Sequence, residues 1–161
     1  MGGGGRALSG RHGEIRYLRL RADTLMGMFR QLPQPARAQA FAALARSAAE
    51  HGGDSVRRYL ETGAGDTAAL LATIEKTAAE FGWGSWRFGE RGAARLALAV
   101  TDSPFAAGYG AADTVVCAPI TGMLQAVASL ALGGAWEARE IECCARGAAS
   151  CRFEAILRTK P

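Results

Sequence analysis

Residues 67–100 read TAALLATIEKTAAEFGWGSWRFGERGAARLALAV, and along them the spacing of apolar positions changes from three and four to two. Leu70, Leu71, Ile74, Ala78 and Phe81 recur at helical spacing. Asp66 stands where an N-cap belongs and Gly82 where a left-handed C-terminal residue belongs. Past Gly82 the period is two, with Trp83, Ser85 and Arg87 alternating with Trp86 and Phe88. A glycine-bearing turn at 89–92 leads to the run RLALAV at 95–100, which predicts a β-hairpin.

On the N-terminal side, Pro35 suits the first turn of a helix running from Ala36. Phe41, Leu44, Ala45, Ala48, Gly52, Val56 and Tyr59 keep helical spacing along it. Gly52-Gly53 either lets another backbone approach closely or divides the stretch into two helices, the second capped by Asp54. Before Pro33, the residues Ile15, Tyr17, Leu18 and Leu20 read as a short strand, and 25–32 as a helical turn or two. On the C-terminal side, 102–113 reads as a loop, 115–132 as a central helix, and 135–142 and 151–157 as two short strands. The order α, α, β, β, α, β, β implies an α+β fold, an antiparallel sheet packed with helices.

The 161 residues, 49% hydrophobic and 21% charged, suit a single globular domain and exclude a disordered chain or a disulfide miniprotein. The charge of +4 is uneven. Arg6, Arg11, Arg16, Arg19, Arg21 and Arg30 face only Glu14 and Asp23 in the first thirty residues, and the remainder carries thirteen charges of each sign. The folded domain therefore offers no basic field for nucleic acid. Residues 1–13 lack the apolar core of a secretory signal and read as a flexible tail. The uncharged stretch 114–136 holds Pro119, Gly122, Gln125, Ser129, Gly133 and Gly134, so it reads as a buried helix plus a turn, not a membrane span. A cytoplasmic protein is expected, where four cysteines favour metal binding or inert burial over disulfides.

Glu140, Cys143 and Cys151 cluster in the segment EIECCARGAASCRF, and Cys117 opens the uncharged helix. Three thiolates and one carboxylate make a complete tetrahedral set for zinc, with no position left for a catalytic water. A helix N-terminus favours the Cys117 thiolate. Glu140 and Cys143 lie three apart, so a straight strand would point them to opposite faces, and a bend or bulge between Ile141 and Cys143 is required. On spacing alone the alternative of buried free cysteines stays open. Cys144 fits no ligand role.

These residues carry a resemblance. The stretch Cys117-Ala-Pro-Ile-Thr-Gly122-Met-Leu, then Glu140-x-x-Cys143, then Ala145-x-Gly147-x-x-x-Cys151-x-Phe153, resembles the 4-vinyl reductase domain family. That family, also called hydrocarbon-binding, supplies the sensor domain of bacterial phenol-responsive transcription activators and includes bacteriochlorophyll 4-vinyl reductase-like proteins. Ser103-Pro104-Phe105 after the hairpin also fits, so the resemblance spans about residues 80–158. It implies zinc on Cys117, Glu140, Cys143 and Cys151, beside a pocket for a small aromatic or other apolar ligand. It also implies a fold related to small subunits of a vesicle-tethering complex, and a homodimer formed through the helical part. Trp83, Trp86, Phe88, Phe105, Tyr109 and Trp136 are the aromatics available to such a pocket, although the pocket residues of phenol sensors have no residue-by-residue match here. In this reading 14–161 is one domain, with a helical part at 14–82 and a zinc- and ligand-binding part at 83–158.

The family name also raises reduction of a tetrapyrrole vinyl group. A reductase needs a hydride source, and the chain has no G-x-G-x-x-G after a strand and no flavin fingerprint. His12 and His51 are poor catalysts by position, the first in the tail and the second beside Gly52-Gly53. The expectation is a binding module acting as sensor or carrier of a hydrophobic, aromatic or tetrapyrrole molecule. The alternatives are an accessory protein or reductase of bacteriochlorophyll synthesis and a ligand-free interaction adaptor.

Overall fold

The computed structural model describes residues 16–63 and 65–158. Three helices come first, α1 (Ala22–Gln31), α2 (Ala36–Glu61) and α3 (Thr67–Glu80). The hairpin β1 (Ser85–Arg91) and β2 (Arg95–Thr101) follows, then helices α4 (Pro104–Tyr109) and α5 (Ala118–Leu132). Strands β3 (Trp136–Glu142) and β4 (Cys151–Leu157) close the chain, joined through a 3-10 turn at Cys144–Arg146. The sheet is wholly antiparallel in the order β1-β2-β4-β3. The fold is α+β, as the element order implies.

Helix α3 forms where its caps dictate. The Asp66 side chain accepts a hydrogen bond from the Ala69 N–H, and at the other end Gly82 and Trp83 donate back to Ala79 and Ala78. That closing pair needs Gly82 at a positive φ of 73°, which a residue with no Cβ adopts without strain. Leu70, Leu71, Ile74 and Ala78 are buried, but Phe81 is not: it is 59% exposed and stacks on Tyr17, with ring centroids 5.5 Å apart. The helix has ended by Phe81, so its ring no longer follows the buried stripe.

One sheet face is the core. Trp86, Leu96, Leu98, Val100, Phe153 and Ala155 point inward and are buried, and each large aliphatic among them contributes about 2 kcal/mol of burial energy. Helix α5 lies across β3 and β4, α3 covers β1, and α2 packs on the far side of α5. The α2–α5 contact explains Gly122. A Cβ there would stand 2.1 Å from the Ala45 carbonyl oxygen, so the two helices approach through a bare backbone. The opposite sheet face is polar. Glu154 accepts from both Arg139 and Arg95, which hold its carboxyl below the usual range, and Arg158 pairs with Glu137.

Several expectations change. No strand forms over 16–20, which is irregular and mostly exposed. Ile15 and the expected tail at 1–13 lie outside the described residues. Helix α1 is longer than the turn or two expected, because Phe29 and Met26 bury beneath it while Arg37 donates to the carbonyls of Arg30 and Leu32 at its C-terminal end. Gly52-Gly53 do not divide α2, which runs unbroken; the close neighbour at Gly52 is the Met123 side chain of α5. Residues 102–113 are not all loop, since Ser103 caps α4 and Pro104 occupies its first turn. The central helix begins at Ala118, with Cys117 as its N-cap. No helix among the described residues is long and apolar enough to cross a membrane.

Candidate metal centre

Cys117, Glu140, Cys143 and Cys151 converge from three places in the fold. Cys117 ends the irregular lead into α5, Glu140 sits in β3, Cys143 follows β3, and Cys151 opens β4. One donor atom from each lies within 4.8 Å of the others. The Cys117 sulfur is 3.9 Å from that of Cys143 and 3.8 Å from that of Cys151, and all three cysteines are buried and free. Those separations are near van der Waals contact and well beyond the ~2.05 Å of a disulfide.

The required irregularity in β3 is present. Glu140 pairs with Phe153 and Glu142 with Arg152, so Ile141 is an extra residue in the ladder. This bulge lies one position earlier than the expected bend. It turns the chain so that Glu140 and Cys143 reach one site. Gly147, at a positive φ of 91°, then lets the 3-10 turn reverse and bring Cys151 back.

The surrounding hydrogen bonds fix the donors. The Cys117 N–H donates to Glu140 Oε2 at 2.8 Å, and the Cys144 N–H donates to the Cys151 sulfur at 3.3 Å. Ser103 Oγ lies 3.2 Å from the Cys117 sulfur. Glu140 Oε1 is buried and has no hydrogen-bond partner among the described residues. Such an orphaned oxygen costs about 1–3 kcal/mol when nothing satisfies it.

Titration is strongly perturbed. Burial, followed by the Cys143 contact, pushes the Glu140 carboxyl up to about 8. The Cys117 thiol is raised by its contacts with Cys143 and Cys151, and then by burial. Those same two thiols, Cys117 and Cys151, lower Cys143 by hydrogen bonding to its thiolate. Cys151 is lowered by Cys117, but Cys143 and burial outweigh this and its thiol is raised. The direction is physical: one anion is tolerated among four crowded acidic groups, and a second needs a cation. Three soft donors and a carboxylate, buried and short of positive charge, could hold a metal ion. Cys144 contributes its backbone N–H, not its sulfur.

The six aromatics do not form one cavity wall. Trp83 meets Phe105 edge-to-face at 5.2 Å, and Trp86 meets Phe88 in the same way at 6.2 Å. The Trp86 and Trp136 indoles donate to the Trp83 and Gly133 carbonyls. Tyr109 lines a groove with Arg30 and Arg37, and Trp86 a smaller one with Glu75 and Lys76. The most capacious groove, about 720 Å³, runs between α4 and the 3-10 turn, past Ser103, Ala106, Cys144 and Arg146, and touches none of the six. Ser103 and the Cys144 N–H support the cluster without having been assigned any role from the sequence.

Fold and cluster together define an α+β domain built round a buried cysteine–carboxylate site. Residues 96–157 match the family model of the vinyl 4-reductase domain, which bears out the resemblance to the 4-vinyl reductase domain family over that segment. Three solved structures share the fold. The phenol-responsive sensory domain of the transcription activator PoxR, solved with phenol, has a TM-score of 0.74 at 18% identity, covering 90% of this chain and 78% of that one. Subunit 3 of a trafficking protein particle complex from Naegleria fowleri, covalently bound to palmitic acid, gives 0.61 at 10% identity, covering 86% and 95%. A vinyl-4-reductase family protein from Methanocaldococcus jannaschii gives 0.53 at 12% identity, covering 88% and 98%. No curated protein matches the chain.

Proposed function

We propose that the chain is a zinc-containing module that binds a small hydrophobic or aromatic molecule and acts as a sensor or carrier. The observation that carries this is the convergence of Cys117, Glu140, Cys143 and Cys151 to within 4.8 Å. Sulfurs placed tetrahedrally about zinc at ~2.3 Å lie about 3.8 Å apart. That is the spacing of the Cys117–Cys151 pair, at 3.8 Å. When bound, such an ion supplies charge neutralisation and a rigid cross-link. A full set of four protein donors leaves no place for a reacting water, so the reading is structural and non-enzymatic.

The chain's own residues do the rest. Cys117 anchors the N-terminus of α5, Glu140 and Cys143 anchor β3 and its turn, and Cys151 anchors β4. The site thereby fastens the central helix to half the sheet. The ligand gains affinity from apolar burial, at about 25 cal/mol per Å² before ordering costs. Trp83, Trp86, Phe88, Phe105, Tyr109 and Trp136 are the side chains proposed to meet it, and the phenol bound by the PoxR domain supports an aromatic ligand. Because these rings contact one another, a ligand enters by parting a pair such as Trp83 and Phe105. On this reading 14–161 acts as one cytoplasmic unit and dimerises through its helical part at 14–82.

Calorimetric titration of the purified chain with phenol and with a porphyrin tests the ligand class. Saturable binding of either supports the module reading and selects between aromatic and tetrapyrrole ligands. Binding of neither, with the metal in place, favours an interaction adaptor, which the paired aromatics also suit.

A further inference from the structure

Ser103 is 3% exposed, yet its side chain serves two partners in different elements. Its Oγ accepts a hydrogen bond from the Ala106 N–H, capping α4, and lies 3.2 Å from the Cys117 sulfur at the start of α5. A hydroxyl has one proton and two lone pairs, so it can accept from Ala106 and donate to the sulfur together. Cys117 otherwise meets only the sulfurs of Cys143 and Cys151 through its own sulfur, and a thiolate there has no other hydroxyl donor among the described residues.

We infer that Ser103 is a positioning residue for the metal centre: its hydroxyl donates to the Cys117 thiolate and couples α4 to the bound ion. Donors of this kind fix a ligand's orientation, and their loss lowers metal affinity about tenfold to a hundredfold. Two further contacts make the coupling local. The Ala112 N–H donates to the Ala145 carbonyl at 2.9 Å, joining the segment after α4 to the 3-10 turn that separates Cys143 from Cys151. The groove between α4 and that turn has Ser103 in its wall. The inference rests on the metal reading above.

The experiment compares the full chain with Ser103→Gly, Ser103→Ala and Ser103→Thr, loaded with cobalt(II) or with zinc. Glycine is tolerated at an N-cap at a small cost in stability, so Ser103→Gly removes the hydroxyl while largely keeping the helix start. The expected result is a shifted thiolate-to-cobalt absorption band and about a tenfold loss of zinc affinity in Ser103→Gly and Ser103→Ala, with both restored in Ser103→Thr. An unshifted band and unchanged zinc affinity in Ser103→Gly would overturn the role of Ser103 alone. A parent chain that takes up neither ion would overturn the metal reading and this inference with it.

Discussion

The metal cluster and the aromatic set share one core, but they differ in how far their own atoms satisfy each other. Trp86 and Trp136 each donate to a nearby carbonyl, and Trp83–Phe105 and Trp86–Phe88 are edge-to-face pairs worth about 1 kcal/mol each beyond burial. In the cluster, three sulfurs and a carboxylate crowd together and Glu140 Oε1 has no donor. The lesson is that burial alone does not mark a site. Rings that satisfy one another are stable as they stand, whereas crowded acidic donors without positive charge call for a cation.

The comparison breaks most sharply at the cysteines. Cys143→Ser or Cys151→Ser should abolish metal uptake and lower stability by about 4 kcal/mol, the linkage from an ion at 1,000 times its dissociation constant. Elemental analysis and denaturant unfolding check both effects. Gly122→Ala should cost about 1–3 kcal/mol by forcing α2 and α5 apart. That loss should be equal with and without a chelator, whereas the cysteine effect should vanish when the metal is stripped.

A subtler contrast lies in pH. In the metal-free chain Glu140 is raised from 4.5 to about 8, so the native state holds this proton more tightly than the unfolded state. That stability is fully present below about pH 4.5 and is lost as pH rises through about 8. Glu140→Gln should flatten the dependence in chelator. Metal loading should reverse its sign, because the ion displaces the proton. Denaturation midpoints across that range decide it. The smallest effect is expected at Cys144→Ser, which should leave metal stoichiometry intact and stability within about 0.5 kcal/mol, since only the backbone N–H of Cys144 reaches the site.

Much of this was legible along the chain, for identifiable reasons. Asp66 and Gly82 set both ends of α3 by local chemistry, and the change of period at Trp83 announced the hairpin. The need for an irregularity near Ile141 followed from side-chain alternation alone. Where the sequence misled, the deciding partner was distant. Phe81 keeps helical spacing but falls past the last turn, and Tyr17, 64 positions earlier, receives it. Gly52 and Gly122 both look like helix breakers, and only the opposing helix shows that they are contact points. The Ser103-Pro104 pair carried a local signal for α4, a capping residue before a first-turn proline, which the neighbouring glycines obscured. The bond from Ser103 to Cys117 spans 14 residues and has no local signature.

The central claim is that four side chains from separate elements hold one ion. Native mass spectrometry of the purified chain, with no metal added, tests it most directly. The account predicts one zinc per chain, lost together with the cluster's stability on chelation. A metal-free chain that folds and melts identically with and without added zinc would contradict it.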